Sequence, residues 1–243
     1  MPLQRITEMK NKIATRIFKL TTLIFIVAQV TLQLAIAESG TENAIWNSAF
    51  IHLPGSHGLD YSVEYQLRHD IDENSLSSQF GEFSVYRKLH KYFRFYSGYR
   101  FTSRPDHEEQ RVVFGGFLDI TPNRKSATEV DLDPFRLLLQ VAYQHDFNVE
   151  FDDELMDSDS VRYVLVAEKS LTKKIKPFLM TGVLTTWNNA YDFGIDKLRI
   201  GGGVVYKLFK NNQVRIQYIL EKNLFKDDPS LTNIVWIRYE IAI

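Results

Sequence analysis

The sequence predicts an all-β protein, a transmembrane antiparallel up-and-down β-barrel of 10–12 strands. Three observations predict it. A basic segment and an apolar run open the chain, apolar and polar residues then alternate with period two as far as the last residue, and most alternating stretches are long. Globular strands usually run to about five or six residues, whereas a tilted strand crossing a bilayer needs about nine to eleven.

The first element is a processing signal. Arg5, Lys10, Lys12, Arg16 and Lys19 precede an apolar run from Leu20 to Ala37, which closes on Ala35-Ile36-Ala37 before Glu38. A basic n-region, an apolar h-region and a small-x-small cleavage site make a secretory leader. Gln29, Thr31 and Gln33 within the run argue against a transmembrane anchor. The expected organisation is therefore a removed leader over 1–37 and a barrel domain over 38–243.

After Glu38 no stretch carries a sustained 3.6-residue apolar stripe, and candidate strands fall at 45–53, 58–69, 78–89, 92–103, 109–120, 134–146, 160–171, 175–187, 197–207, 212–222 and 232–243. Their two faces differ in kind. Leu59, Tyr61, Val63, Tyr65 and Leu67 oppose Asp60, Ser62, Glu64, Gln66 and Arg68, and Phe93, Phe95, Tyr99 and Phe101 oppose Tyr92, Arg94, Tyr96 and Arg100. Leu137, Leu139, Val141 and Tyr143 oppose Arg136, Gln140 and Gln144, while Leu198, Ile200, Val204 and Tyr206 oppose Arg199 and Lys207. Near the end, Val214, Ile216, Tyr218 and Leu220 oppose Arg215, Gln217 and Glu221, and IVWIRYEIAI sets Val235, Ile237, Tyr239, Ile241 and Ile243 on one face. Outer-membrane proteins commonly finish on a closing strand of this kind, with an aromatic where this chain has Ile243.

Alternation alone leaves the inward face open. A lipocalin-like soluble barrel turns its polar face out and lines a ligand cavity with apolar residues, but has fewer strands than are counted here. The connections favour the membrane, because short ones at 89–91, 172–174 and 208–211 take turns with the longer polar DIDENSLS, SRPDHEE, DFNVEFDDELMDSDS and NLFKDDPSL. Short periplasmic turns and longer extracellular loops are the outer-membrane pattern. The expectation is that Val214, Ile216, Tyr218 and Leu220 meet lipid. Eleven segments conflict with the even strand number usual in bacterial barrels, so ten or twelve strands are expected, with 45–53 and the link TPNRKSATEVDLDP the places to look for an error.

Composition narrows the function classes. A formal net charge of -1 offers no basic field to nucleic acid. With no cysteine, disulfides, thiolate metal sites, cysteine nucleophiles and an N-terminal lipidated cysteine are excluded.

Several motifs bear a resemblance to a known family. Trp46, Glu64-x-Gln66-x-Arg68, Gly98-Tyr99 before a loop, Glu109-Gln110-Arg111 at a strand start, and Phe135-Arg136 and Val161-Arg162 opening later strands make nearly all of the mature chain similar to an uncharacterised bacterial family of outer-membrane barrels, the domain-of-unknown-function family twenty-four ninety. The resemblance implies a barrel and an outer-membrane address, and implies no activity.

The charged face supplies the candidate site. Glu64, Arg68, Glu82, Arg94, Arg100, Arg136, Arg162, Glu168, Arg199, Arg215, Glu221, Arg238 and Glu240 are candidate lumen-lining residues. Converging on a narrow interior, they suit either a charged constriction that selects small solutes or a salt-bridged plug. Interleaved signs favour the plug.

Catalysis has thinner support. His69 beside Asp70 and Asp72, His107 beside Glu108 and His145 beside Asp146 raise a rim hydrolase as an alternative, yet sequence neighbours on a strand point to opposite faces. No catalytic, cofactor-binding or metal-binding residue is assigned, and no cofactor is expected. The acidic run Glu150, Asp152, Asp153, Glu154, Asp157 and Asp159 lacks EF-hand spacing, and Gly201-Gly202-Gly203 lies inside a strand with no helix following, so it marks a bend or close packing. The expectation is an outer-membrane protein of a Gram-negative bacterium, monomeric, in contact with lipid, lipopolysaccharide and the barrel-insertion machinery, with no nucleic-acid partner and no enzymatic activity. A soluble periplasmic ligand-binding barrel is the other alternative.

Overall fold

The computed structural model describes residues 41–120, 135–151, 154–187, 194–224 and 230–243. The leader over 1–37, the link over 121–134, and Asp152 and Asp153 of the acidic run lie outside the described residues. Alternating residues become strands throughout: β1 (Thr41–Pro54), β2 (Leu59–Asp70), β3 (Ser75–Lys88), β4 (Phe93–Ser103), β5 (Glu108–Asp119), β6 (Arg136–Phe151), β7 (Glu154–Glu168), β8 (Ile175–Trp187), β9 (Gly194–Phe209), β10 (Asn212–Asn223) and β11 (Leu231–Ala242). Each pairs with the next, and β11 pairs with β1, so the sheet closes as a barrel.

The expectation of ten or twelve strands is corrected to eleven. All ten consecutive pairings are antiparallel, an even number of reversals, so β11 runs in the same direction as β1. Contacts across this seam climb together along both strands. Thr232 Oγ1 donates to Glu42 at 3.1 Å, Asn233 Nδ2 to Asn43 at 3.2 Å, Trp236 Nε1 to Ser48 Oγ at 2.9 Å, and the Ile243 amide to the His52 carbonyl at 3.0 Å. Parity binds only a barrel that is antiparallel all the way round. A parallel seam releases it.

The inward face is now assigned. Large apolar side chains stand exposed around the outside, among them Tyr65, Phe83, Tyr99, Phe114, Leu179, Ile200 and Ile216, whereas Gln66, Ser84, Gln144, Ser160, Gln217 and Glu221 are buried within. This is the reverse of a lipocalin-like wall. The lumen is packed, because two apolar clusters sit among the polar groups. Trp46, Ile219 and Ile234 pack beside the seam with Trp236, and Tyr96, Val113 and Ala142 pack against Tyr86 and Phe117. Eight strands leave an interior that side chains just fill, so an eleven-stranded lumen needs rings and guanidinium groups to fill it.

Connection lengths differ from the reading of the sequence. DIDENSLS contracts to a connection at 71–74 and SRPDHEE to one at 104–107, while β6 and β7 extend through most of DFNVEFDDELMDSDS. One mouth of the barrel carries the connections at 55–58, 89–92, 169–174 and 210–211; the other carries 71–74, 104–107 and the tip of the β6–β7 hairpin. In the 71–74 connection Asn74 takes φ 50°, and Asp70 Oδ1 accepts the amides of Asp72 and Glu73 at 2.9 and 3.1 Å. Gly203 on β9 faces inward where β10 crosses closely: an added Cβ would land on the Ile216 carbonyl and 2.8 Å from Gln217 Cα. The glycine run is therefore a close-packing device.

Candidate functional site

Inward residues of neighbouring strands are held opposite one another by the ladder register, and that register makes the ion pairs. Glu82 on β3 lies opposite Arg100 on β4, and the guanidinium reaches the carboxylate at 2.6 and 2.8 Å. Arg199 on β9 pairs with Glu221 on β10, which Lys197 also approaches at 3.6 Å. Arg136 bridges Asp119 at 3.0 Å and Glu168 at 3.2 Å, and Lys176 adds a contact to Glu168 at 3.6 Å. Around Glu240 gather Arg215 at 3.3 Å, Arg238 at 3.4 Å and Gln213; Arg238 also reaches Glu64 at 3.6 Å. Carboxylates taken out of water are costly unless charged partners replace the lost solvent, and here each of these six has one.

Three predicted residues, Arg68, Arg94 and Arg162, have no carboxylate in this set, and the rings explain the first. The Arg68 guanidinium lies 4.4 Å from the Trp46 ring centroid and 5.1 Å from that of Phe80, and its Nε donates to Gln66 Oε1 at 2.8 Å. Similar faces carry Arg100 over Phe80 at 3.9 Å, Arg215 over Phe178 at 4.7 Å and Arg238 over Phe50 at 4.0 Å. A desolvated cation over a ring gains about 2 kcal/mol. Arg162 approaches the Tyr96 hydroxyl at 3.5 Å, and Gln140 donates to that oxygen at 2.6 Å. Arg94 stands apart from all of these, exposed near a mouth.

Sequence reasoning missed part of the lumen. Arg111 pairs with Asp146, and Arg104 with Glu109 at 2.7 Å. Asp146 continues the Arg136, Gln140, Gln144 register, which was a usable signal. Trp46, Phe50, Phe80, Phe178 and Trp236 share the charged face, and nothing in a two-letter apolar and polar pattern announces a ring that supports a guanidinium.

The rim histidines separate as strand geometry requires. Asp146 turns inward to Arg111, whereas His145 Nδ1 lies 2.8 Å from Asp159 on β7, whose same oxygen accepts the Tyr143 hydroxyl at 2.5 Å. His107 meets Asp106 at 2.9 Å and Glu109 at 3.2 Å instead of Glu108, and His69 is exposed. Among the described residues, no group of three or more His, Asp or Glu side chains is placed to hold a metal ion.

Residues 43–229 match the family described as a protein of unknown function (DUF2490). The chain belongs to that family. No curated protein matches it. Among solved structures, a bacterial polysaccharide outer membrane secretin superposes with a TM-score of 0.44 at 14% identity, over 73% of this chain and 73% of the other. Membership in DUF2490 brings no assigned chemistry, so the site stands on its own geometry: a barrel apolar outside, with opposite charges paired and stacked on rings within.

Proposed function

We propose that this chain is a monomeric β-barrel of the outer membrane of a Gram-negative bacterium whose lumen is sealed by paired charges, a structural or docking barrel and not an open pore. One observation carries the reading: exposed large apolar residues surround the wall, while Arg, Glu and Gln side chains are buried inside it. A wall of that polarity suits lipid, and a closed barrel leaves no backbone edge unpaired there. Selective pores rely on rings of one sign or on open constrictions. Here each guanidinium of the Arg100–Glu82, Arg199–Glu221 and Arg215–Glu240 pairs is answered by a carboxylate. The proposal makes lipid, lipopolysaccharide and the barrel-insertion machinery the partners, excludes nucleic acid, and assigns no enzymatic activity.

Two measurements test it. The folded protein should stay with the outer membrane after osmotic shock and migrate faster in detergent gels unheated than boiled; release with the periplasmic fraction would refute the membrane placement. Purified protein in planar bilayers should show no steady conductance. Conductance whose ion preference changes on charge reversal at Arg100 or Arg136 would replace the sealed lumen with a narrow channel.

A further inference from the structure

Most cations of the lumen have a carboxylate partner, but among the described residues most of those at one mouth have none. A cavity of about 730 Å³ opens at the mouth that carries the 169–174 and 210–211 turns, and its lining includes Arg94, Lys173, Lys174, Lys176, Lys207 and Lys210. Lys176 alone of these six has an ion pair among the described residues, to Glu168. Among the described residues, the one carboxylate in the lining, Glu240, is already taken up by Arg215, Arg238 and Gln213. Among the described residues, five cations therefore face a shared space with no unengaged carboxylate beside them.

The arrangement is built into the fold. Thr172 Oγ1 accepts the amides of Lys174 and Ile175 at 3.1 and 3.0 Å, which fixes the β7–β8 turn. The Lys207 amide donates to the Lys174 carbonyl at 2.8 Å, so that turn is tied to β9 beside the two-residue turn carrying Lys210. Arg94 reaches the same cavity from β4, four places round the ring from β8. Like charges brought together from separated strands repel one another unless an anion sits between them. The floor and sides add Asn211, Asn212, Gln213 and His52, neutral groups suited to hydroxyl or further oxyanion contacts. Phe50 and Val205 in the lining belong to the inner wall, so a ligand enters the mouth of the barrel; a lipid headgroup would be met from outside.

We infer that this mouth is a binding site for a soluble polyanion, a small solute bearing several phosphate or carboxylate groups, held by Lys173, Lys174, Lys207, Lys210 and Arg94. Lysine ammonium groups bind phosphate as compact point charges, and the cavity volume lies within the range of small-molecule sites. The inference stands on the mouth alone and holds whether or not the lumen conducts.

The test is titration calorimetry of the full chain in neutral detergent with inorganic tripolyphosphate. Saturable binding that weakens as salt is raised is expected. The triple variant K174Q/K207Q/K210Q should bind about tenfold more weakly, the triple Lys→Arg variant should retain binding, and Lys222→Gln at the opposite mouth should leave it unchanged. Heat-dependent gel mobility reports whether each variant still forms the barrel. Absence of saturable binding by the unmodified chain, or equal affinity in the Lys→Gln triple variant, overturns the proposal. A parallel arm compares recovery in bilayer discs with and without anionic lipid: lysine-dependent preference for anionic discs, with no tripolyphosphate binding, would assign the lysines to headgroups and also overturn it.

Discussion

Ile216→Arg puts the sidedness of the wall to a direct test. Ile216 is 55% exposed on the outer face near the middle of β10, with Val204 and Ile237 opposite it on the two adjacent strands. None of the three can partner a guanidinium. A charged residue on the lipid face at the bilayer midplane costs about 2–4 kcal/mol, falling to about 0–1 near the interface, whereas a surface substitution in a water-soluble protein stays within about 0.5 kcal/mol. The larger range corresponds to about a thirtyfold to thousandfold loss in the folded-to-unfolded ratio. The assay is reversible urea unfolding in lipid vesicles, followed by fluorescence of the chain's three tryptophans, of which Trp46 and Trp236 lie 6.0 Å apart at the seam. Phe209→Arg is the depth control, because Phe209 is 70% exposed at the end of β9, at a mouth. If Ile216→Arg costs no more than Phe209→Arg, or lies within about 0.5 kcal/mol of the unmodified protein, the outer face meets water and the argument fails.

Two further outcomes follow from the interior. Glu82→Gln strands Arg100 beside the Phe80 ring and should cost about 3–5 kcal/mol in the same unfolding assay, while a Glu82→Gln/Arg100→Met double variant recovers most of the loss. Simple additivity of the two single changes would show that the pair is not coupled. Gly203→Ala should cost about 1–3 kcal/mol, because the added methyl meets backbone of β10 and cannot rotate away. An unchanged unfolding midpoint would mean that β9 and β10 separate at little cost.

Much of the fold was legible because period two is a local property. Leu59 to Arg68, or Val214 to Glu221, reveal two faces without reference to any other strand, and the eleven segments correspond to the eleven observed. Alternation alone left the inward face open, the connections pointed to the polar one, and the closed barrel buries Gln217 and Glu221 within while Ile216 stands exposed. Strand number was harder to accept than to count, since the seam joins residues about 190 positions apart and its direction leaves no trace in either strand. The length of the β6–β7 hairpin was hidden because the acidic run from Glu150 to Asp159 reads as a loop in the sequence, although the two strands pair through most of it.

The site divides along the same line. Arg100 and Glu82 were recognisable as lumen residues from their place in the alternation, but their partnership depends on the β3–β4 register. Trp46 and Phe80 went unassigned because a ring under a guanidinium reads as an out-of-phase hydrophobe. The lysines at 173, 174 and 210 lie in turns, where charge is ordinary. Only the cavity they share sets them apart.

The parallel seam also constrains how the molecule comes into being. Ten hairpin-like pairings can form between consecutive segments, but the eleventh joins β1 to β11 across almost the whole described chain, the kind of distant contact that slows folding. Until β11 arrives, the curled sheet keeps two free borders able to capture other strands. A ribosome-stalled or clipped product lacking that segment would be adhesive, giving the cell a reason to shield the nascent protein until the ring shuts.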